Sequence, residues 1–264
     1  MTKRGKKKIM PIVIGILLII IGVGMIAVTS IANKNVPAMN SCVDSVLETL
    51  GKNYTVTPVD VGDYKQMKVY GIMKFDVEQY HIEELGNLSV MRLNMGIMQM
   101  STIVITPFDK NLPLLSADYM YIMGNRKAYL EFYDVVKEKD DAYNTLMGNL
   151  QTVVDKYNHL EDFEAKAAWY EHLLTVDAYK SCTDKNDAEI EQMLIESLEA
   201  YIAHAKELPL LSEEEKAEKL AITLEYTNGL VDKGGVSTDV FKKELGVEET
   251  KKFFDQVFFG TSAQ

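Results

Sequence analysis

Between Ser101 and Val136 the chain reads STIVITPFDKNLPLLSADYMYIMGNRKAYLEFYDVV, and no other stretch narrows the choice of fold as much. It contains three short apolar segments separated by two turn signals. Thr102 to Thr106 forms the first strand; Pro107, Asp109, Lys110, Asn111 and Pro113 then impose a turn, because proline lacks the amide that a central ladder needs. Ser116 to Met123 is the second strand, and Gly124-Asn125 turns the chain again. Lys127 to Val136 is the third, with Ala128, Leu130 and Phe132 alternating against Tyr129, Glu131 and Tyr133. Successive strand side chains point to opposite faces, so Asp118, Met120 and Ile122 share one. An acid therefore sits in an apolar row.

Two readings of Asp118 are open. It can be an edge-strand or turn-capping aspartate that accepts backbone hydrogen bonds. Alternatively, burial among Met and Ile disfavours the ionised form, raises the pKa and leaves a proton available near neutral pH.

Upstream, Gln66 to Tyr80 alternates Met67, Val69, Met73, Phe75 and Val77 against Lys68, Tyr70, Lys74, Asp76 and Glu78, which predicts one half-buried strand. Leu88 to Gln99 predicts another strand or a bent pair. Beyond the N-terminal tail the only arginines are Arg92 and Arg126. Arg92, inside this sheet, suits either a bidentate clamp on a ligand carboxylate or a cross-strand ion pair. Arg126 is expected to be exposed in its turn. Met98, Met100 and Met120 suit the padding of a flat conjugated ligand, since thioethers adapt to aromatic shapes, and suit an ordinary core equally well.

Beyond Lys137 the period changes from two to near 3.6. Helices are predicted over 142–157, 163–174 and 187–205. Ser212-Glu213-Glu214-Glu215 is a capping box opening a helix that Asn228-Gly229 would close, and two short helices follow over 238–245 and 248–258. Antiparallel strands followed by helices give an α+β class, a central antiparallel β-sheet flanked by helices in an α/β/α sandwich.

The front end differs in kind. Lys3, Arg4, Lys6, Lys7 and Lys8 precede an uncharged run over 9–32, IMPIVIGILLIIIGVGMIAVTSIA. Twenty-odd apolar residues suffice to cross a bilayer as a helix, and the basic cluster stays cytoplasmic, so residues 33–264 are expected outside. This reading divides the chain into a basic tail over 1–8, a single-pass anchor over 9–32 and an extracytoplasmic domain. Ser30-Ile31-Ala32 also offers a cleavage site for a signal peptide. Removing the five basic tail residues from the net charge of −11 leaves −16 for the remainder, which makes nucleic acid and anionic membrane surfaces poor partners for it, and no nucleic acid is expected. Cys42 and Cys182 allow one disulfide or two free thiols; His159, Glu161, Glu164, Glu171 and His172 lack metal-motif spacing, and no metal site is expected.

Leu112-Pro113-Leu114-Leu115-Ser116-Ala117-Asp118, followed by an apolar strand, a Gly turn and a strand ending at Asp134, resembles the central sheet segment of the ferredoxin-dependent bilin reductases. That family carries a Leu-Pro-x-x-Gly-x-Asp run whose Asp donates a proton to a bound linear tetrapyrrole. The similarity extends over the chain beyond about residue 65, most visibly in Val240-Phe241-Lys242-Lys243-Glu244-Leu245-Gly246 and Phe253-Phe254-Asp255-Gln256-Val257-Phe258-Phe259. The chain departs from the family at Ser116, where the motif has Gly, at Ser101, where some members have a histidine, and near Gly234, where some have an Asn. The resemblance implies Asp118 as proton donor, a bound linear tetrapyrrole, no permanently bound cofactor, and an external electron donor of ferredoxin or flavodoxin type; Arg92, Met98, Met100 and Met120 are the residues whose own chemistry suits contact with that ligand. Lys233, Lys242, Lys243, Lys251 and Lys252 are the nearest basic candidates for docking such a donor, but acids are interleaved with them. The competing expectation is a non-catalytic binding or interaction module that retains the fold and a pocket.

Overall fold

The structure, a computed structural model, describes the backbone of residues 6–235 and 238–263 and the side chains of 28–235 and 238–262. The first element, α1 (Lys6–Gly51), is one continuous helix that runs on past the apolar stretch over 9–32. It continues through the Asn33 to Pro37 stretch because tertiary contact holds it there: buried Asn35 donates Nδ2 to Met123 O at 3.1 Å. Among the described residues no helix is long and apolar enough to cross a membrane. The span expected over 9–32 falls for the most part on side chains outside those described.

Nine strands follow in one antiparallel sheet: β1 (Val56–Val59), β2 (Gln66–Val69), β3 (Met73–Ile82), β4 (Gly86–Asn94), β5 (Met98–Pro107), β6 (Leu114–Ile122), β7 (Asn125–Tyr133), β8 (Glu161–Asp162) and β9 (Leu174–Thr183). Their order across the sheet is β1-β3-β4-β5-β6-β7-β9-β8, with β2 also on β3. Pro58, lacking a ladder amide, is accommodated in the edge strand β1. The single strand expected over 66–80 is a hairpin instead, broken where Tyr70 and Gly71 adopt left-handed backbone conformations.

Helices cover both faces. α1, α2 (Asp141–Asp155) and α3 (Asp187–Glu207) bury Val43, Leu150 and Leu198 against Leu88, Ile103, Ala117 and Leu130. α4 (Glu213–Lys233), α5 (Thr238–Leu245), α6 (Val247–Phe253) and the π turn Phe254–Phe258 bury Leu230, Phe241, Phe253 and Val257 against Phe75, Met91, Leu93 and Val104. The α/β/α sandwich is as the alternation predicts.

Two helix predictions fail. The stretch 163–174 is extended, with a 3₁₀ turn over Glu171–Leu173, despite its Ala, Glu and Lys. Its N-terminal end is pinned to β9, where β8 pairs and Phe163 N donates to Tyr179 O at 3.1 Å, and its C-terminal end runs on through the 3₁₀ turn into β9 itself. α4 does not stop at Asn228-Gly229 but runs on to Lys233, ending at Gly234 with φ +91°. Gly229 serves packing instead, since a Cβ there would lie 2.4 Å from the Trp169 ring. The capping box holds: Ser212 accepts from Glu215 N, and the Glu215 carboxylate accepts from Ser212 N.

Candidate functional site

Register builds the site. Across five strands Met91 pairs with Thr102, Thr102 with Asp118, Asp118 with Tyr129 and Tyr129 with Tyr179. These side chains share the sheet face covered by α4 to α6, and two residues along, on that same face, lie Glu131 and Asp177, themselves paired. They form the floor of a cavity of about 450 Å³. Tyr226 of α4, the closing aromatics Phe254, Phe258 and Phe259, and the extended segment 163–168 wall it. A mostly apolar hollow of ~300–1,000 Å³ with a few convergent polar groups is the usual form of a small-molecule site.

Asp118 is surrounded by protein on all sides except the cavity, onto which it retains some surface. Burial pushes its pKa up to about 6, opposed by the Thr102 hydroxyl, which donates to Oδ1. A carboxyl facing a cavity, rather than one capping a turn, is therefore what the structure provides.

Glu131, which the sequence reading placed on a strand face without assigning it to the site, is the second acid of the cavity. Burial and then the charge of Asp118 raise its pKa to about 7, while hydrogen bonds from Tyr133 OH at 2.8 Å and Tyr179 OH at 2.9 Å oppose the shift. Burial raises both phenols as well, Tyr179 with help from the neighbouring Glu131, so they remain donors. Asp177 is also raised by burial and by Glu171. The signal existed in the pattern Tyr129, Glu131, Tyr133, where an acid shares parity with two aromatics, but only register places it beside Asp118.

Of the predicted ligand contacts, Met100 and Met120 line the cavity with Asp118. Met98 lies on the same face and packs, part-buried, against the same core. Arg92 does not join them. It occupies the opposite face, where its Nη1 lies 2.5 Å from Glu78 Oε1, so the ion-pair reading describes it. The strand parity that aims Met91 at the cavity aims Arg92 away. Lys166, on the extended segment, is the cation at the cavity wall.

Arg126 corrects the sequence reading in the other direction. Only 1% exposed, it holds Asp187 bidentately, Nε to Oδ1 at 2.5 Å and Nη2 to Oδ2 at 2.8 Å, and so joins β7 to the first turn of α3. Cys42 and Cys182 are free thiols. The C-terminal lysines are largely engaged: Lys251 with Asp255, Lys252 with Glu249, Lys242 with Val231 O, and Lys233 over the Trp169 ring.

Phytochromobilin synthase from tomato, solved in complex with biliverdin, superposes on the chain with a TM-score of 0.70 over 85% of this chain and 84% of that one. The fold is that of the ferredoxin-dependent bilin reductases. Identity over the superposed part is 11%, so the likeness is one of architecture. No protein-family model matches the sequence, and no curated protein does.

Proposed function

We propose that this protein binds a linear tetrapyrrole in the cavity over β5 to β9 and reduces it with electrons from an external protein, Asp118 supplying a proton. The observation that carries this reading is a carboxyl with a pKa of about 6 facing a hollow in a fold whose tomato counterpart was solved with biliverdin. Reducing one double bond consumes two electrons and two protons. An iron–sulfur or flavin protein of the ferredoxin or flavodoxin class delivers the electrons singly. Asp118 gives one proton to the reduced ligand, and Glu131, with its pKa near 7, holds the second.

The chain's residues perform the remaining tasks. Met100, Met120 and the tyrosines pack against a planar conjugated system, the closing aromatics exclude water, and Lys166 offers its ammonium to a propionate. The basic tail and the apolar run support a further part of this reading: residues 9–32 tether the protein to the membrane with its domain on the extracytoplasmic side.

Mixing the purified chain with biliverdin and recording the visible spectrum tests binding; an unperturbed spectrum at micromolar protein eliminates the tetrapyrrole altogether. A ferredoxin reducing system then tests turnover. Asp118→Asn is expected to bind the pigment yet lose reduction by ~10²-fold or more, the usual yield of a positioned acid. Equal rates for variant and parent would remove Asp118 from the chemistry, and a bound pigment that is never reduced by the parent would establish the non-catalytic module.

A further inference from the structure

Eight large apolar side chains are exposed among the described residues, and five of them meet at one end of the molecule: Val28, Tyr70, Ile72, Ile97 and Met123. Tyr70 and Ile72 occupy the β2–β3 turn, Ile97 the β4–β5 turn and Met123 the β6–β7 turn, which antiparallel pairing brings to the same edge of the sheet. Met123 N donates to Ile97 O at 2.9 Å, so two of the tips are joined. Ile72, at 72%, is the most exposed of them.

The choice of residues at these turns is unusual. Tyr70 and Met123 have φ of +53° and +58°, backbone conformations that glycine and asparagine adopt far more readily than bulky side chains. Turn chemistry alone would not select Tyr and Met there, nor would it leave Ile72 and Ile97 in water.

α1 passes through the same edge. Asn35 is bonded to the Met123 carbonyl, and Val28 abuts the β4–β5 turn so closely that a Cβ on Gly96 would lie 2.7 Å from Val28 Cγ1. From there α1 continues as helix toward Lys6, along the apolar run. Roughly 20 helical residues, ~30 Å, cross a hydrocarbon core, so a span that begins at Ile9 ends near Val28, level with the hairpin tips. We infer that these tips are seated in the lipid surface, which holds the domain hairpin-end down on the bilayer; this rests on the proposed tether over residues 9–32. Tyr70, with Lys243 Nζ 5.4 Å from its ring, supplies the aromatic and cationic pair common where a protein meets headgroups. The same seating turns the Met98, Met100 and Met120 end of the cavity's face toward the membrane, the side from which an apolar pigment would come.

The test uses the full chain, reconstituted in phosphatidylcholine vesicles with and without spin-labelled lipid. In a Cys182→Ser background, where the remaining Cys42 is buried, Ile72→Cys, Ile97→Cys and Met123→Cys each carry an environment-sensitive fluorophore. Leu210→Cys, exposed at the opposite end beside the β5–β6 loop, is the control. The tip labels are expected to shift to the blue and be quenched by spin-labelled lipid, the control label to do neither. Protein that floats with the vesicles while all tip labels stay unquenched overturns the seating and leaves the tether standing. Protein that does not float overturns both. A blue shift that appears only at high protein density, without lipid quenching, means that a second copy covers the tips and also overturns it.

Discussion

Asp118 and Glu131 are two acids on one wall, and their protonation is linked to folding and to binding. Both have folded pKa values above the ordinary carboxylate range, about 6 and about 7. Their contribution to stability is therefore intact at low pH and is lost as the pH rises through those values. The Asp118→Asn/Glu131→Gln double variant is expected to gain on the parent between pH 5 and pH 8 by on the order of 2 kcal/mol, read from urea midpoints. Parallel curves would show that neither acid is perturbed. A dianionic pigment adds negative charge beside them, so binding takes up protons: affinity for biliverdin should rise as the pH falls from 8 to 5.5, followed by spectral titration. Asp118 was legible in the sequence because a charged residue interrupts an apolar row. Glu131 was not, because its partner lies on another strand.

At the scale of elements, the sheet and the helices are joined by buried polar contacts. Arg126 ties β7 to α3, and Arg126→Ala should cost about 3 kcal/mol in denaturation midpoint, since it strands Asp187 beside a buried gap. A loss no larger than that of an ordinary surface substitution would show that the pair is dispensable. Lys219, fully buried on α4, donates to Leu112 O at 2.7 Å and Val135 O at 2.8 Å, at the two chain segments flanking the β6–β7 hairpin. Burial lowers its pKa to about 7. Lys219→Met is expected to cost ~1–3 kcal/mol at neutral pH by leaving two carbonyls unpaired. β9 escaped the sequence reading because Lys180, 2% exposed and 2.6 Å from Asp162, stands where its alternation calls for an apolar residue. The segment 163–168 has helical composition yet walls the cavity as extended chain, because pairing with β9 at its start outweighs a propensity of tenths of a kcal/mol per residue.

For the molecule as a whole, α1 is both core element and lead-in to the apolar run. Met39, Cys42, Val43, Val46 and Leu50 are buried against the sheet. Deleting residues 1–27 should leave a folded domain, whereas deleting 1–51 removes five core side chains at ~1.5–3 kcal/mol each, comparable to the whole stability of an ordinary domain. Thermal melts of the two truncations check this; a cooperative transition in the shorter one would show that α1 is an appendage. By itself the sequence determined the fold class, the central hairpins, the capped helix α4 and one acid in a greasy strand, because period, turn chemistry and capping act between near neighbours in the chain. Which face Arg92 takes, that Arg126 is buried, that Glu131 and Asp177 join Asp118, and that three hairpin tips gather beside α1 were decided only by strand register and by the packing of distant segments. Those contacts link residues tens of positions apart, and no local pattern records them.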